Sequence, residues 1–402
     1  MEKIISLAKR RGFVYPGSEI YGGLAGTWDY GPLGAEMMHN IKEAWWKKFV
    51  SSREDMYGIA SSIIAPEQVW AASGHLKNFT DPLEGEKFNT MFKSKIGALE
   101  DETADIYLRP ELAQGMFVNF KNIVDSFHPK IPFGIAQIGR CFRNEISPRD
   151  FIFRVREFDL MEFEYFISPP RLGEAGEENW EKVFEYWRKE MWNWIEETGI
   201  NKSMVSELEV APEDRAHYSK RTIDFEFEFS FGKKELYGLA YRTNHDLKNH
   251  KLDYYDEETK EKFIPHVVEP TFGVGRTLLA ILDSAYTEDE LGGEKRTFLK
   301  LKPHIAPVKA AVFPLLKNKP ELVNKAREVY KDIKKVIQPV IFDDNGNIGK
   351  RYRRQDEIGT PFCVTIDFET LNDNTVTLRD RDTGKQERVK IDELCSNLKK
   401  KF

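Results

Sequence analysis

Cysteine is nearly missing from this sequence: Cys141, Cys363 and Cys395 stand far apart in 402 residues. Without a CxxC pair, neither a disulfide framework nor a zinc knuckle is suggested, so no zinc is expected and the thiols are expected to be reduced. No stretch approaches the roughly 18 apolar residues of a spanning helix, and the opening MEKIISLAKRRGFVYPG lacks the apolar core of a secretory signal. A cytoplasmic protein with no membrane association is therefore expected. A large excess of one charge is missing too. Sixty Lys and Arg against 66 Asp and Glu leave a net charge of −6, which disfavours indiscriminate nucleic-acid binding at long range but is compatible with a local basic patch. The GxGxxG and GK(S/T) phosphate loops are absent, as are repeats and low-complexity tracts.

What is present is ordinary soluble composition, 41% hydrophobic and 31% charged, in a chain long enough for two or three domains. The 28 Phe, 15 Tyr and 8 Trp often fall in alternating patterns, which points to a large antiparallel sheet. EAWWKKFV (43–50) is expected in a helix and MYGIASSIIAP (56–66) as an extended segment. AQGMFVNFKNIVDSF (113–127) has helical spacing. FGIAQIGRCFR (133–143) and RVREFDLMEFEYF (154–166) read as a strand pair joined by a charged tip. ENWEKVFEYWRKEMWNWIEETG (178–199) reads as an amphipathic helix ending at a Gly199 cap. TIDFEFEFSF (222–231) and ELYGLAYR (235–242) read as further strands. After residue 300 the texture changes. Strands expected at 308–316, 339–344 and 361–367 alternate with helices at 321–337 and 348–359, an α/β unit with at least partly parallel pairing. Residues 301–306, marked by Pro303, adjacent Pro307 and few apolar anchors, are the expected linker between domains 1–300 and 307–402.

FRNEISPRDFIF (142–153) sets Arg143, Glu145, Arg149 and Asp150 between apolar runs. A solvated hairpin tip is one reading, and a polyanion site is the other. Strand alternation puts Arg154, Arg156, Phe158, Leu160 and Glu162 on one face, and Arg143 on a face with Glu145. Arginine forks match phosphate and carboxylate oxygens, and an aromatic face can stack on a purine. EPTFGVGRTLLAILDSAY (269–286) adds a strand end, a turn at Gly273 and Gly275, and Arg276 opening a helix. Glycines there permit close backbone approach to a ligand, and the arginine adds charge to the positive end of the helix dipole. The two elements together favour a nucleotide phosphate ester.

These segments resemble the signature motifs of class II aminoacyl-tRNA synthetases. EDMYGIASSIIAP, within about 43–66, resembles motif 1, FRNEISPRDFIFRVREFDLMEFEYF, within about 133–166, resembles motif 2, and GVGR, within about 267–286, resembles motif 3. WDYGPLG (28–34), ASGHLKNFTDPL (72–83), LRPELAQGMF (108–117) and KRYRRQDEIGTPFCVT (350–365) bring the chain closest to the dimeric glycyl-tRNA synthetases. The resemblance implies an α+β fold: an antiparallel synthetase sheet flanked by helices, followed by an α/β anticodon-binding domain. The implied reaction is ATP-dependent attachment of glycine to tRNA(Gly) through an adenylate, in a homodimer using Mg²⁺. A short DPLEGEKFNTMF, where many bacterial relatives carry a longer insertion with cysteine pairs, and the lack of an N-terminal extension imply a compact member.

The resemblance also implies residue roles. Arg143 and Arg276 are the catalytic pair, with Arg143 gripping the α-phosphate and the amino-acid carboxylate. Asn144 and Glu145 bind ATP, Glu145 at the adenine amino group, and Phe158 and Arg276 cover the two ring faces. Phe153, Arg154, Val155, Arg156 and Glu157 lie in the stretch that folds ATP. Glu235, Leu236, Gly273, Val274 and Gly275 complete the nucleotide site. Glycine contacts fall on Glu111, Phe158, Glu162, Glu269, Thr271 and Gly273, and Glu269 is also the implied magnesium-linked acid. Thr271 stands where serine is expected. On the predicted helix 348–359, Lys350, Arg351 and Arg354 are candidate tRNA-phosphate contacts, while Arg353 and Glu357 are spaced for an ion pair. Two rivals are a non-catalytic synthetase-like accessory protein that binds nucleic acid and an amide ligase acting on a free amino acid. The first has no need to keep Arg143, Glu145, Phe158, Glu162 and Arg276 together. The second has no need of a tRNA reader.

Overall fold

In the computed structural model, which describes residues 1–83, 86–97, 103–170 and 180–402, strand Glu157–Ile167 has both faces covered, each by different company. Met161, Phe163 and Tyr165 point into a core that includes Trp45, Phe49 and Trp187, with the rings of Phe163 and Trp187 4.6 Å apart. Leu160 and Phe166 point the other way, into a cluster with Met116, Phe117 and Phe120. The period of two puts Glu162 and Glu164 on that second face as well. Two carboxylates are thereby carried into an otherwise apolar layer.

The strand is central in a seven-stranded sheet ordered Val205–Glu209, Arg221–Phe229, Gly232–Thr243, His266–Gly273, Glu157–Ile167, Phe133–Phe142, Met56–Gly58. All pairings are antiparallel except the last, which is parallel. Helices Pro32–Trp46, Trp180–Thr198 and Val274–Ala285 cover one face; helices Ala113–Val118 and Phe120–Phe127 cover the other. Gly199 closes Trp180–Thr198 at φ +83, a left-handed cap that suits glycine. Glu178 and Asn179 lie outside the described residues. The carboxyl-terminal unit is a five-stranded sheet: Val340–Phe342, Ala310–Pro314 and Phe362–Ile366 run parallel, and Thr375–Asp380 and Gln386–Lys390 add antiparallel strands. Its last two strands, with helices Phe368–Asp373 and Ile391–Lys399, continue the unit beyond the sequence-predicted elements.

Three expectations change in detail. The 113–127 helix is broken at Asn119, whose side-chain amide donates to Gly115 O (2.8 Å) while its N–H bonds Met116 O, a tighter turn than an α-helix makes. The strand expected from 154 begins at Glu157, because Asp150 and Phe151 adopt left-handed φ of 62° and 59° and Arg149 and Arg154 exchange backbone bonds across the tip. Arg154 and Arg156 therefore do not extend the strand face. The 301–306 connection is well anchored: Leu301, Ile305 and Ala306 are buried in the main core, and Asn40 Nδ2 donates to the carbonyls of Ile305 and Ala306.

Candidate active site

Strand His266–Gly273 passes directly into helix Val274–Ala285, so Arg276 sits in the first helical turn beside the open end of the sheet. Neither Gly273 nor Gly275 has a positive φ. What Gly275 requires is space, since a Cβ there would come within 3.0 Å of the Tyr30 hydroxyl. A cleft opens here. It is lined by Arg143, Glu145, Phe153, Arg154, Val155 and Phe158 from the hairpin, and by Glu235, Leu236, Thr271, Gly273, Gly275 and Arg276 opposite. Two distant stretches of sequence thus meet in one site.

Arg143 lies between the rings of Phe79 and Phe158, each 5.2 Å from its guanidinium carbon. Its Nε donates to Pro110 O (3.1 Å), and among the described residues no acceptor is paired with its two terminal nitrogens. That leaves an aromatic-clamped fork facing the cleft, the donor geometry that suits a phosphate or carboxylate. Arg276 rests 4.5 Å over the Phe153 ring and donates to Glu235 O and Oε2. Arg154 is shared between Glu145 (2.5 Å) and Asp81 (2.9 Å).

Below Phe158 the second face of the sheet supplies a buried acidic floor. Glu162 accepts from Leu112 N–H (2.9 Å) and Thr271 Oγ1 (3.0 Å). Glu111 faces His75 Nε2 (3.2 Å), and Glu269 accepts from Arg242 through both oxygens. Arg242 also forks onto Asp246 and lies 3.7 Å over the Tyr218 ring. Burial and the neighbouring Glu269 and Glu111 push the Glu162 carboxyl up to about 8. For Glu111 burial acts upward, but His75, Arg242 and Arg143 outweigh it and hold the carboxyl well below the usual range. Glu164 is fully buried with both oxygens unbonded in the described structure, and burial followed by Glu269 drives its carboxyl well up. Among the described residues no cation is bonded to Glu162 or Glu164, and a small ammonium group would supply one.

Several expected contacts fall elsewhere. Arg156 is committed to the carbonyls of Ala25 and Glu145, Glu157 faces outward to Arg140, and Val274 is buried in the core. Asn144 bonds Thr90 O through its backbone N–H and does not line the cleft. Glu269 accepts from Arg242 Nη1 through both oxygens, and the described residues contain no cluster of three or more His, Cys, Asp or Glu side chains able to hold a metal ion. His75, Phe79, Asp81, Tyr218 and Arg242 were not singled out from the sequence. Arg242 had a readable signal: an arginine on the buried side of an alternating strand requires an acid partner.

On helix Ile348–Ile358, Lys350 is exposed and Arg354 pairs with Asp343 (2.6 Å). Arg351 is not available to a ligand: it is 1% exposed, and its guanidinium donates to the carbonyls of Pro314, Asp344 and Gly346. The expected Arg353–Glu357 pair is replaced by Arg353–Glu294 and by Arg10 and Arg11 on Glu357.

Comparison with known proteins agrees with this geometry. Residues 92–285 match the tRNA synthetase class II core domain (G, H, P, S and T), and residues 309–401 match the anticodon binding domain. The chain is 46% identical to the glycine–tRNA ligase of Caldanaerobacter subterraneus subsp. tengcongensis over 465 aligned positions, covering 100% of this chain and 98% of the relative. It is 45% identical to that of Clostridium tetani, again over 100% and 98%, and 45% identical to that of Streptomyces coelicolor over 98% and 96%. An alignment of 465 positions against 402 residues leaves at least 63 positions empty in this chain, so it is a shortened relative of the first. With likeness running end to end, this chain belongs to the glycine–tRNA ligase family of class II aminoacyl-tRNA synthetases.

Proposed function

We propose that this chain attaches glycine to tRNA(Gly) in two steps. A glycine carboxylate oxygen attacks the α-phosphorus of ATP and pyrophosphate leaves. A terminal ribose hydroxyl of the tRNA then attacks the carbonyl of the mixed anhydride and AMP leaves. The observation that carries the reading is the unspent Arg143 fork, bonded to Pro110 O next to Glu111, together with the buried Glu162, which accepts from the neutral donors Leu112 N–H and Thr271 Oγ1. An ammonium on the floor leaves the carboxylate of so short an amino acid beside Arg143, which also meets the α-phosphate. Catalysis is then positioning and stabilisation of charge on the phosphoryl oxygens. Glu145 and Phe158 are proposed for adenine, with Arg276 on its other face and Arg154 toward the outer phosphates. Members of this class use ATP, typically with Mg²⁺; here the ion is taken to arrive with the phosphates as part of the substrate.

Residues 307–402 are proposed as the anticodon-binding domain, with Lys350 and Arg354 as phosphate contacts. Homodimerisation through the 54–66 segment is supported by its exposed Ile63 and by exposed Ile64, which lines a groove with Val118. No described helix is long and apolar enough to cross a membrane, and a cytoplasmic setting is proposed. The test is ATP–pyrophosphate exchange with each amino acid in turn. Exchange driven by glycine alone is expected, and exchange driven equally by alanine would overturn the assignment of the floor.

A further inference from the structure

Three groups that the proposed function uses are each held by a side chain of one short stretch. Residues 73–81 comprise a turn, helix His75–Asn78 and the start of strand Thr80–Leu83. Gly74, at φ +82, makes the turn that lets the segment double back against the site. From it, buried His75 brings Nε2 to within 3.2 Å of Glu111 Oε2. Its Nδ1 lies 2.7 Å from the buried Ser73 hydroxyl, which pins the other side of the ring. The His75 ring packs against Phe79 at 5.3 Å, and the Phe79 ring lies 5.2 Å from the Arg143 guanidinium. Two residues on, Asp81 Oδ2 accepts from Arg154 Nη2 at 2.9 Å.

The stretch is itself tied down. Asn89 Nδ2 donates to the carbonyls of His75 and Leu76, Thr90 N–H bonds Phe79 O, and Asn144 N–H bonds Thr90 O. A continuous packed path therefore runs from the acid that meets the ammonium to the arginines that meet the phosphates. We propose that residues 73–81 are the positioning strut of this site: His75 fixes Glu111, Phe79 fixes Arg143 and Asp81 fixes Arg154, so one segment sets the spacing between the amino-acid and nucleotide ends of the adenylate. None of the three strut residues need touch a reacting atom. The inference rests on the proposed roles of Glu111 and Arg143.

The strut assigns a different kinetic signature to each residue, which a role in folding alone does not. Steady-state ATP–pyrophosphate exchange on the full chain reads it out, with His75→Leu, His75→Gln, Phe79→Leu, Asp81→Asn and Glu111→Gln compared at matched thermal midpoints. His75→Leu strips a buried carboxylate of its donor and is expected to raise the glycine KM by about tenfold with the ATP KM unmoved. His75→Gln, which keeps an N–H donor, should recover most of that loss. Asp81→Asn should raise the ATP KM and spare the glycine KM, and Phe79→Leu should lower kcat. Parallel shifts in both KM values, or no rescue by glutamine, would overturn the strut. If Glu111→Gln itself leaves the glycine KM unchanged, the site reading fails instead; if Glu111→Gln raises it and His75→Leu does not, only the strut fails.

Discussion

Arg143 is aimed without being neutralised, because two aromatic faces hold its plane while, among the described residues, Nε alone is bonded to protein. Removing it takes away charge-assisted bonds to the reacting phosphate but little packing that the core depends on. Arg143→Ala should therefore lower pyrophosphate exchange by on the order of a hundredfold or more with the thermal midpoint nearly unchanged, and lysine should rescue poorly because it lacks the fork. Exchange within tenfold of the parent would count against the assignment. Glu162 makes a different kind of statement. Its folded value of about 8 stands above the ordinary 4.5. The stability that its proton contributes is thus complete below about 4.5 and is lost as pH rises toward 8. A bound ammonium favours the ionised form, so glycine should bind with loss of a proton. The glycine KM should fall as pH rises toward about 8 and level off above it, and Glu162→Gln should remove that dependence while raising the KM. A flat profile in the parent would mean that the carboxyl is already ionised in the empty site.

Helix Ile348–Ile358 separates two uses of positive charge that its sequence does not distinguish. Arg351 serves the fold, donating to carbonyls at Pro314 and in the 344–346 turn, whereas Lys350 is exposed and half-buried Arg354 pairs with Asp343. Arg351→Ala should cost about 2–4 kcal/mol by orphaning buried carbonyls, lowering the thermal midpoint and both partial reactions together. The pair Lys350→Ala and Arg354→Ala should instead lower tRNA charging at limiting tRNA, flatten its salt dependence and spare pyrophosphate exchange. Loss of both reactions would assign that pair to the fold as well. Spacing alone reveals elements whose pattern is set by burial: the alternation of TIDFEFEFSF became strand Arg221–Phe229, and the glycine after an amphipathic helix became a left-handed cap at Gly199. It is blind where the partner lies far along the chain. Arg242 meets Glu269, and His75 meets Glu111, across separations that no local period encodes. The tip at Asp150 and Phe151 was hidden for another reason, since non-glycine residues there take left-handed φ without a glycine to mark the turn. For the site itself, Arg143, Arg276, Phe158 and Glu162 were legible through their motifs, whereas the residues that hold Arg143 and Glu111 in place were not.

At the scale of the molecule, the carboxyl-terminal sheet is tied by buried charge to strand Glu294–Leu299 and to the 301–306 connection. Arg296, from strand Glu294–Leu299, donates to Arg381 O (2.6 Å) and lies 3.6 Å from Asp356. Asp356, fully buried, accepts both terminal nitrogens of Arg379. Arg381 in turn donates to Leu301 O and Gly359 O, and Lys309 donates to the carbonyls of Pro303, His304 and Ala306. Such a junction holds the carboxyl-terminal unit at a fixed angle to the cleft, which a reader of the distant end of a tRNA needs if it is to register with chemistry at the other end. Asp356 is the point to test, because it balances cations from both sides of the junction. Asp356→Asn keeps the volume but leaves Arg379 buried without its anion, while Arg296 keeps Asp289, a loss of about 3–5 kcal/mol concentrated at the interface. The catalytic sheet lies outside that network, so calorimetry should resolve a separate, earlier transition for the carboxyl-terminal unit. Below that transition pyrophosphate exchange should be retained while tRNA charging falls. A single transition lowered as a whole, with both reactions lost together, would instead mean that the junction is part of the catalytic core's own stability and that the two units do not fold independently.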